Sequence, residues 1–142
     1  MIYLGNVLEA DPVKYDEVWV ICRSVEEISD FIEEHDHVFH VPQLAPSKEL
    51  FIWYRKEFHE GRWGKEAFLK HYVPAFLEMF SEGSEGQLFL EKLAREGKEK
   101  DILLVCFCQD EKLCHRSIVG GLLLNMQADI VCDQSYRIYT SV

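Results

Sequence analysis

Cysteines at positions 106, 108 and 114 run directly into His115, Arg116 and Ser117. The stretch LVCFCQDEKLCHRS (residues 104–117) thus gathers thiols, an imidazole, a guanidinium and a hydroxyl. A thiolate serves as nucleophile or metal ligand, an imidazole carries a proton, and a guanidinium grips phosphate or carboxylate through parallel bonds. Four chemistries therefore compete for it: a metal knuckle, a catalytic thiol, an anion cradle, and a buried strand that happens to contain sulfur.

C-x-C followed by C-H supplies donors that zinc accepts, but the C-x2-C spacing of zinc knuckles is missing. Neighbouring residues of a helix also point about 100° apart, so a helical Cys114 and His115 would not share one ion. No metal and no other cofactor is expected. The phosphatase-type cradle C-x5-R fails too, because Cys114 stands six positions after Cys108 where an arginine is needed. The same helical argument keeps Cys114 from its neighbour His115. It leaves Cys106 or Cys108, at the end of a strand, as the thiol His115 would serve across the turn. Singly, these two cysteines read as small hydrophobes. Together with His115, Arg116 and Ser117 they read as a site.

The elements around this stretch place it. Residues 2–4, 17–22, 38–41, 102–108 and 128–132 are apolar and β-rich at strand length, and 136–141 reads as a further strand. Arg23 and Ser24 begin a helix with Glu26 and Glu27 in its first turn. Ser47 is the N-cap of a helix carrying Leu50, Phe51, Tyr54 and Phe58 at helical spacing. A second helix runs from Trp63 towards Glu82, kinked or restarted by Pro74, and a third spans 85–97. The helix over 114–126 is apolar nearly all round, and its Gly120-Gly121 pair implies close backbone packing. This order predicts one α/β domain over residues 1–142, three-layered, with a mainly parallel sheet and helices on both faces. A helical insertion separates the second and third main strands, residues 38–41 and 102–108. Ligands of such sheets bind at the carboxyl ends of the strands, where Cys106, Cys108 and the first turn at 114–117 meet.

Composition narrows the function classes. With 25 acidic against 15 basic residues the net charge is −10, which argues against nucleic acid as a partner. A secretory leader is not expected from the opening MIYLGNVLEADPVKYDE, which lacks a basic start and a long apolar core, and no apolar run reaches membrane-spanning length. Five cysteines without a disulfide framework fit a reduced, cytoplasmic protein. His35, His37 and His40 alternate across a strand and read as a solvated loop end, while Trp53 and Trp63 read as core, and Cys22 and Cys132 as strand core. GxGxxG, GxxxxGK[ST] and HExxH are absent.

On these residues the chain resembles the family called domain of unknown function 488. Cys106 and Cys114-His115-Arg116 are similar to its Cys-x7-Cys-His-Arg signature, and Pro46, Ser47, Leu50, Trp63, Phe68 and Tyr72 to its central segment. Arg23, after the strand VIC, resembles its strand-then-arginine motif. Cys108 departs from the pattern, standing where many relatives carry an acidic residue. The resemblance implies a three-layer α/β domain and carries no settled activity.

Two functions follow as expectations. In the first, Cys114, His115, Arg116 and Ser117 hold a small anionic, nucleotide-derived metabolite at the helix start, helped by Arg23 and Ser47. The protein is then a sensor or sequestering module, with Trp53 or Tyr54 covering the ligand's ring. In the second it is a cysteine-dependent enzyme on a nucleotide-like substrate, with Cys106 or Cys108 as thiolate, His115 as proton carrier and Arg116 as anion clamp. Interaction with other proteins through the acidic, aromatic insertion is a third reading, and the sequence leaves a homo-oligomer open.

Overall fold

The computed structural model describes residues 1–140. Short apolar runs form β1 (Ile2–Asn6), β2 (Glu17–Val20), β3 (Val38–His40), β4 (Ile102–Cys106) and β5 (Ile130–Val131). They pair in the order β3-β2-β4-β1-β5, every pair parallel. All five residues of β4 are buried, the pattern of a strand covered on both faces. Alternation divides the core accordingly. Val18, Val20, Leu103 and Val105 face the side covered by α1 (Ser29–Glu33), where Phe31 and Ile32 pack. Trp19, Ile21, Ile102 and Leu104 face the other side. There they meet Leu90 and Leu93 of α5 (Glu85–Glu96) and Ile118, Val119 and Leu123 of α6 (His115–Asn125). The fold is a three-layer α/β domain. Among the described residues no helix is long and apolar enough to cross a membrane.

The insertion between β3 and β4 is helical, as expected. Ser47 caps α2 (Lys48–His59), its hydroxyl accepting the Leu50 N–H at 3.2 Å. The helix expected from Trp63 to Glu82 begins at Lys65: α3 (Lys65–Ala67) passes into a π-turn over Phe68–Tyr72 and then into α4 (Val73–Leu77). Pro74, which has no amide to donate, sits at the start of α4. The widened turn just before it absorbs the missing bond without ending the helical path.

Two expectations are corrected. After Arg23 the chain does not begin a full helix; a 3-10 turn (Glu26–Ile28) leads into α1, only five residues long. Neither start has a side-chain cap to satisfy its amides. Residues 136–141, expected as a strand, differ as well. Gln134–Thr140 form a 3-10 helix, and Ser141 lies outside the described residues. The Asp133 carboxylate accepts the Ser135 N–H at 2.9 Å and starts this turn, while the Tyr136 hydroxyl donates to Glu111 at 2.6 Å.

That turn is what the Gly120-Gly121 pair packs against. A Cβ at Gly120 would lie 3.3 Å from Cys132 Sγ and from the Tyr136 ring; one at Gly121 would fall well inside the Tyr136 carbonyl. A carbonyl fixed in a helical turn cannot give way as a side chain can. Gly121→Ala is therefore expected to lose about 3 kcal/mol of stability in urea unfolding and Gly120→Ala about 1 kcal/mol. Equal losses at the two positions would contradict this packing.

Candidate functional site

Parallel register brings three strand ends level, with Val20 beside Val105 and Asn6 beside Cys106. The residues just beyond them, Cys22 and Arg23 after β2 and Phe107 and Cys108 after β4, share one rim. Asn6 secures it from below: its amide donates to the carbonyls of Phe107 at 3.4 Å and Cys108 at 3.1 Å. The turn Glu111–Leu113 then delivers the chain to the start of α6.

Cys114 is the N-cap of α6, with extended backbone (φ −124°, ψ 151°), and is not itself helical. This overturns the expectation that Cys114 and His115 diverge. The Cys114 Sγ lies 3.6 Å from His115 Nδ1. On its other ring nitrogen, His115 Nε2 is 2.5 Å from the Ile21 carbonyl. A carbonyl only accepts, so Nε2 carries hydrogen and Nδ1 is the atom that faces the sulfur.

Around Cys114 lies a nest of sulfur. Cys106 Sγ donates to Cys108 Sγ at 3.9 Å, and Cys22 stands close enough to Cys106 for their thiols to interact. Burial opposes the thiolate of Cys114, but hydrogen bonds from Cys106 and Cys108 and the His115 charge outweigh it and hold this thiol well below its ordinary range. Burial alone would lower His115; the Cys114 charge reverses that and raises it. Cys106, the donor to its neighbours, is pushed well above the thiol range. Cys108 receives a bond from Cys106, yet its contact with Cys114 and its burial push it up to about 12. The charge of the nest thus settles chiefly on Cys114, with Cys22 also lowered, to a lesser degree, by its bond from Cys106.

Arg116 sits behind this cluster and not in front of it. Only 2% exposed, it donates from Nη1 to the Gly5 carbonyl and from Nη2 to the Cys108 carbonyl, while Nε lies 3.4 Å from Cys114 Sγ. The guanidinium expected to clamp a ligand is engaged with backbone. It braces the thiol loop and places positive charge beside Cys114. Ser117, fully buried, donates to the Cys114 carbonyl at 2.8 Å, and Ser47 is occupied as the cap of α2.

The nest opens into a cavity of about 750 Å³ lined by Cys22, Cys106, Cys108, Cys114 and His115 on one side. Phe51, Tyr54, Phe58, Trp63 and Tyr72 form the opposite wall, with Tyr54 and Trp63 edge to face at 4.6 Å. Arg23 and Arg55 supply its positive charge, and Glu26, Glu27 and Asp110 its negative charge. Arg23 is fixed there by Nε, which donates to Pro46 O at 2.8 Å, and by Nη2, which donates to Pro42 O at 3.3 Å. Of the two aromatic candidates, Tyr54 faces the cavity, while Trp53 stacks on His71 with centroids 3.9 Å apart. The histidines at 35, 37 and 40 each bond a different carbonyl, of Phe31, Pro12 and Cys22; the rings of His35 and His37 meet edge to face at 5.9 Å, and among the described residues none of the three belongs to a group placed to hold a metal.

The structure therefore gathers Cys106, Cys108, Cys114, His115 and Arg23 around one space and puts Arg116, Ser117 and Ser47 in supporting positions. Cys22, Asn6 and Arg55 were not legible as site residues. Cys22 looks like core because it ends an apolar run, and Asn6 and Arg55 carry no motif. The one available signal is that Cys22 precedes Arg23 where the chain leaves the sheet.

Residues 7–127 match the family model DUF488-N3a, described as the active DUF488-N3 subclade. No curated protein and no solved structure matches the chain.

Proposed function

The chain belongs to the DUF488 family, and on that premise we propose that it is a cysteine-dependent enzyme acting on a small, ring-bearing anion of nucleotide type. The observation that carries this reading is the placement of Cys114 at a helix N-terminus, 3.6 Å from His115 Nδ1, in the wall of an aromatic cavity of about 750 Å³. A cavity of that size takes a ligand of nucleotide dimensions. Its aromatic wall suits a flat base, and Arg23 and Arg55 suit a phosphate.

In the proposed step, Cys114 Sγ forms a bond to an electrophilic carbon of the substrate. The leaving group departs with its bonding pair and takes the proton from His115 Nδ1. Water then attacks the same carbon, returns a proton to His115 and frees the thiolate. Arg116 is a positioning residue in this scheme. The sequence expectation that Cys106 or Cys108 is the nucleophile gives way to Cys114, because the first two are pushed above the thiol range and Cys114 below it. Five free cysteines support a reducing, cytoplasmic setting, and the description of the matched subclade as active fits turnover.

One observation favours binding without turnover: Cys114 is 2% exposed. Such a protein would be a sensor or sequestering module for the same metabolite. Calorimetry with a panel of nucleoside monophosphates tests the common part of both readings. At least one is expected to bind, and Arg23→Ala is expected to weaken it about 10- to 100-fold, the range for a charged hydrogen bond. Recovery of the bound nucleotide as a new product supports the enzyme, and recovery unchanged supports the module. Failure of every member to bind contradicts both.

A further inference from the structure

We propose that Cys106, Cys114 and His115 form a binding site for a soft divalent cation of zinc type, with Cys108 as its fourth ligand. The donor atoms of the first three, all buried, lie within 4.8 Å of one another. Tetrahedral zinc with sulfur at about 2.3 Å and nitrogen at about 2.0 Å separates its ligands by about 3.5 to 3.8 Å. Cys114 Sγ to His115 Nδ1 is 3.6 Å, and Cys106 Sγ to Cys108 Sγ is 3.9 Å. Two ligand edges of the tetrahedron are therefore already set.

The surroundings fit the same role. A histidine that binds metal through one nitrogen usually donates the other N–H to a backbone carbonyl or carboxylate. His115 does this through Nε2 to Ile21, which leaves the Nδ1 lone pair for the ion. Arg116 Nε beside Cys114 Sγ and Nη2 on the Cys108 carbonyl hold two of the sulfurs in place from behind. The cavity gives an entry path to the donors. Thiolate and imidazole are the ligands that select zinc and its soft neighbours over magnesium or calcium.

The argument that neighbouring residues diverge fails for a physical reason. It assumes that Cys114 is helical, whereas its extended N-cap backbone turns the sulfur towards His115. This site rests on donor geometry and stands whether or not the chain is an enzyme. If it is one, the ion and a substrate compete for Cys114, and metal silences the nucleophile.

The test uses the reduced, full-length chain with Co²⁺ as the probe. One equivalent is expected to give the thiolate-to-cobalt charge-transfer band and visible bands of a tetrahedral sulfur-rich site, both lost when one equivalent of Zn²⁺ displaces it. Cys106→Ser is expected to weaken Co²⁺ binding at least 10-fold. Cys108→Ser, at the exposed edge of the nest, is expected to reduce the charge-transfer intensity with folding retained by circular dichroism. Cys132→Ser, outside the nest, leaves the spectrum unchanged. Absence of a one-to-one tetrahedral spectrum in the unaltered chain overturns the proposal, as does an unchanged spectrum in both Cys106→Ser and Cys108→Ser. The spectrum needs no substrate, so its failure is separate from failure of the enzyme reading.

Discussion

Arg116→Ala is expected to destabilise the chain by about 4 kcal/mol in chemical denaturation, among the largest single losses available outside the apolar core. The guanidinium is one of the largest fully buried side chains, and its two terminal nitrogens satisfy the carbonyls of Gly5 and Cys108. Removing it leaves the Cys108 carbonyl with the Asn6 amide alone, strips a charged donor worth about 1.5 to 3 kcal/mol from the Gly5 carbonyl, and opens a void beside Cys114. Arg116→Lys is expected to recover less than half of the loss, because an ammonium cannot span two carbonyls and a sulfur as a planar fork does. A loss under about 1 kcal/mol for the alanine variant would mean that the side chain does not tie β1 to the thiol loop. The same variants report on function. An arginine that clamped a ligand directly would, when removed, abolish binding with little change in stability; a brace gives the reverse order of effects.

Cys114→Ser carries the second large effect. Turnover of whichever nucleoside monophosphate the cavity binds is expected to fall by about 10³-fold or more, since a serine hydroxyl is not ionised by the groups that hold this thiol down. Binding is expected to stay within about threefold, because the aromatic wall and Arg23 are untouched. Cys106→Ser and Cys108→Ser should lower turnover far less, through the loss of the hydrogen bonds that they give to Cys114. If Cys108→Ser is as inactive as Cys114→Ser, the nucleophile has been misassigned.

Much of this site could be read before any coordinates, and the reasons differ by residue. The apolar run of β4 is unambiguous because burial on both faces leaves no polar position, and parallel sheets place sites at strand ends. Ser47 is legible as a cap because short-range chemistry fixes it. Arg116 is not: its type suggests a ligand contact, but its real partners are carbonyls, Gly5 far upstream in the chain and Cys108 eight residues before it. The pairing of Cys114 with His115 hides for a different reason. One residue of backbone, extended instead of helical, decides whether adjacent side chains meet, and such boundaries are the least certain feature of a sequence reading. The C-terminal turn hides because Tyr136 to Tyr139 have strand-like composition, while the contact that settles their shape is with Gly120 and Gly121 on another element.

Order of reaction among the thiols decides the central claim. The chain, reduced and freed of metal with a chelator, is treated with limiting iodoacetamide and each cysteine is followed by peptide mass mapping. Cys108 is the better exposed of the cavity sulfurs, Cys114 the better ionised. The account expects Cys114 to be alkylated first, more slowly in the presence of a bound nucleoside monophosphate. Alkylation of Cys108 or Cys132 ahead of an unmodified Cys114 would contradict it.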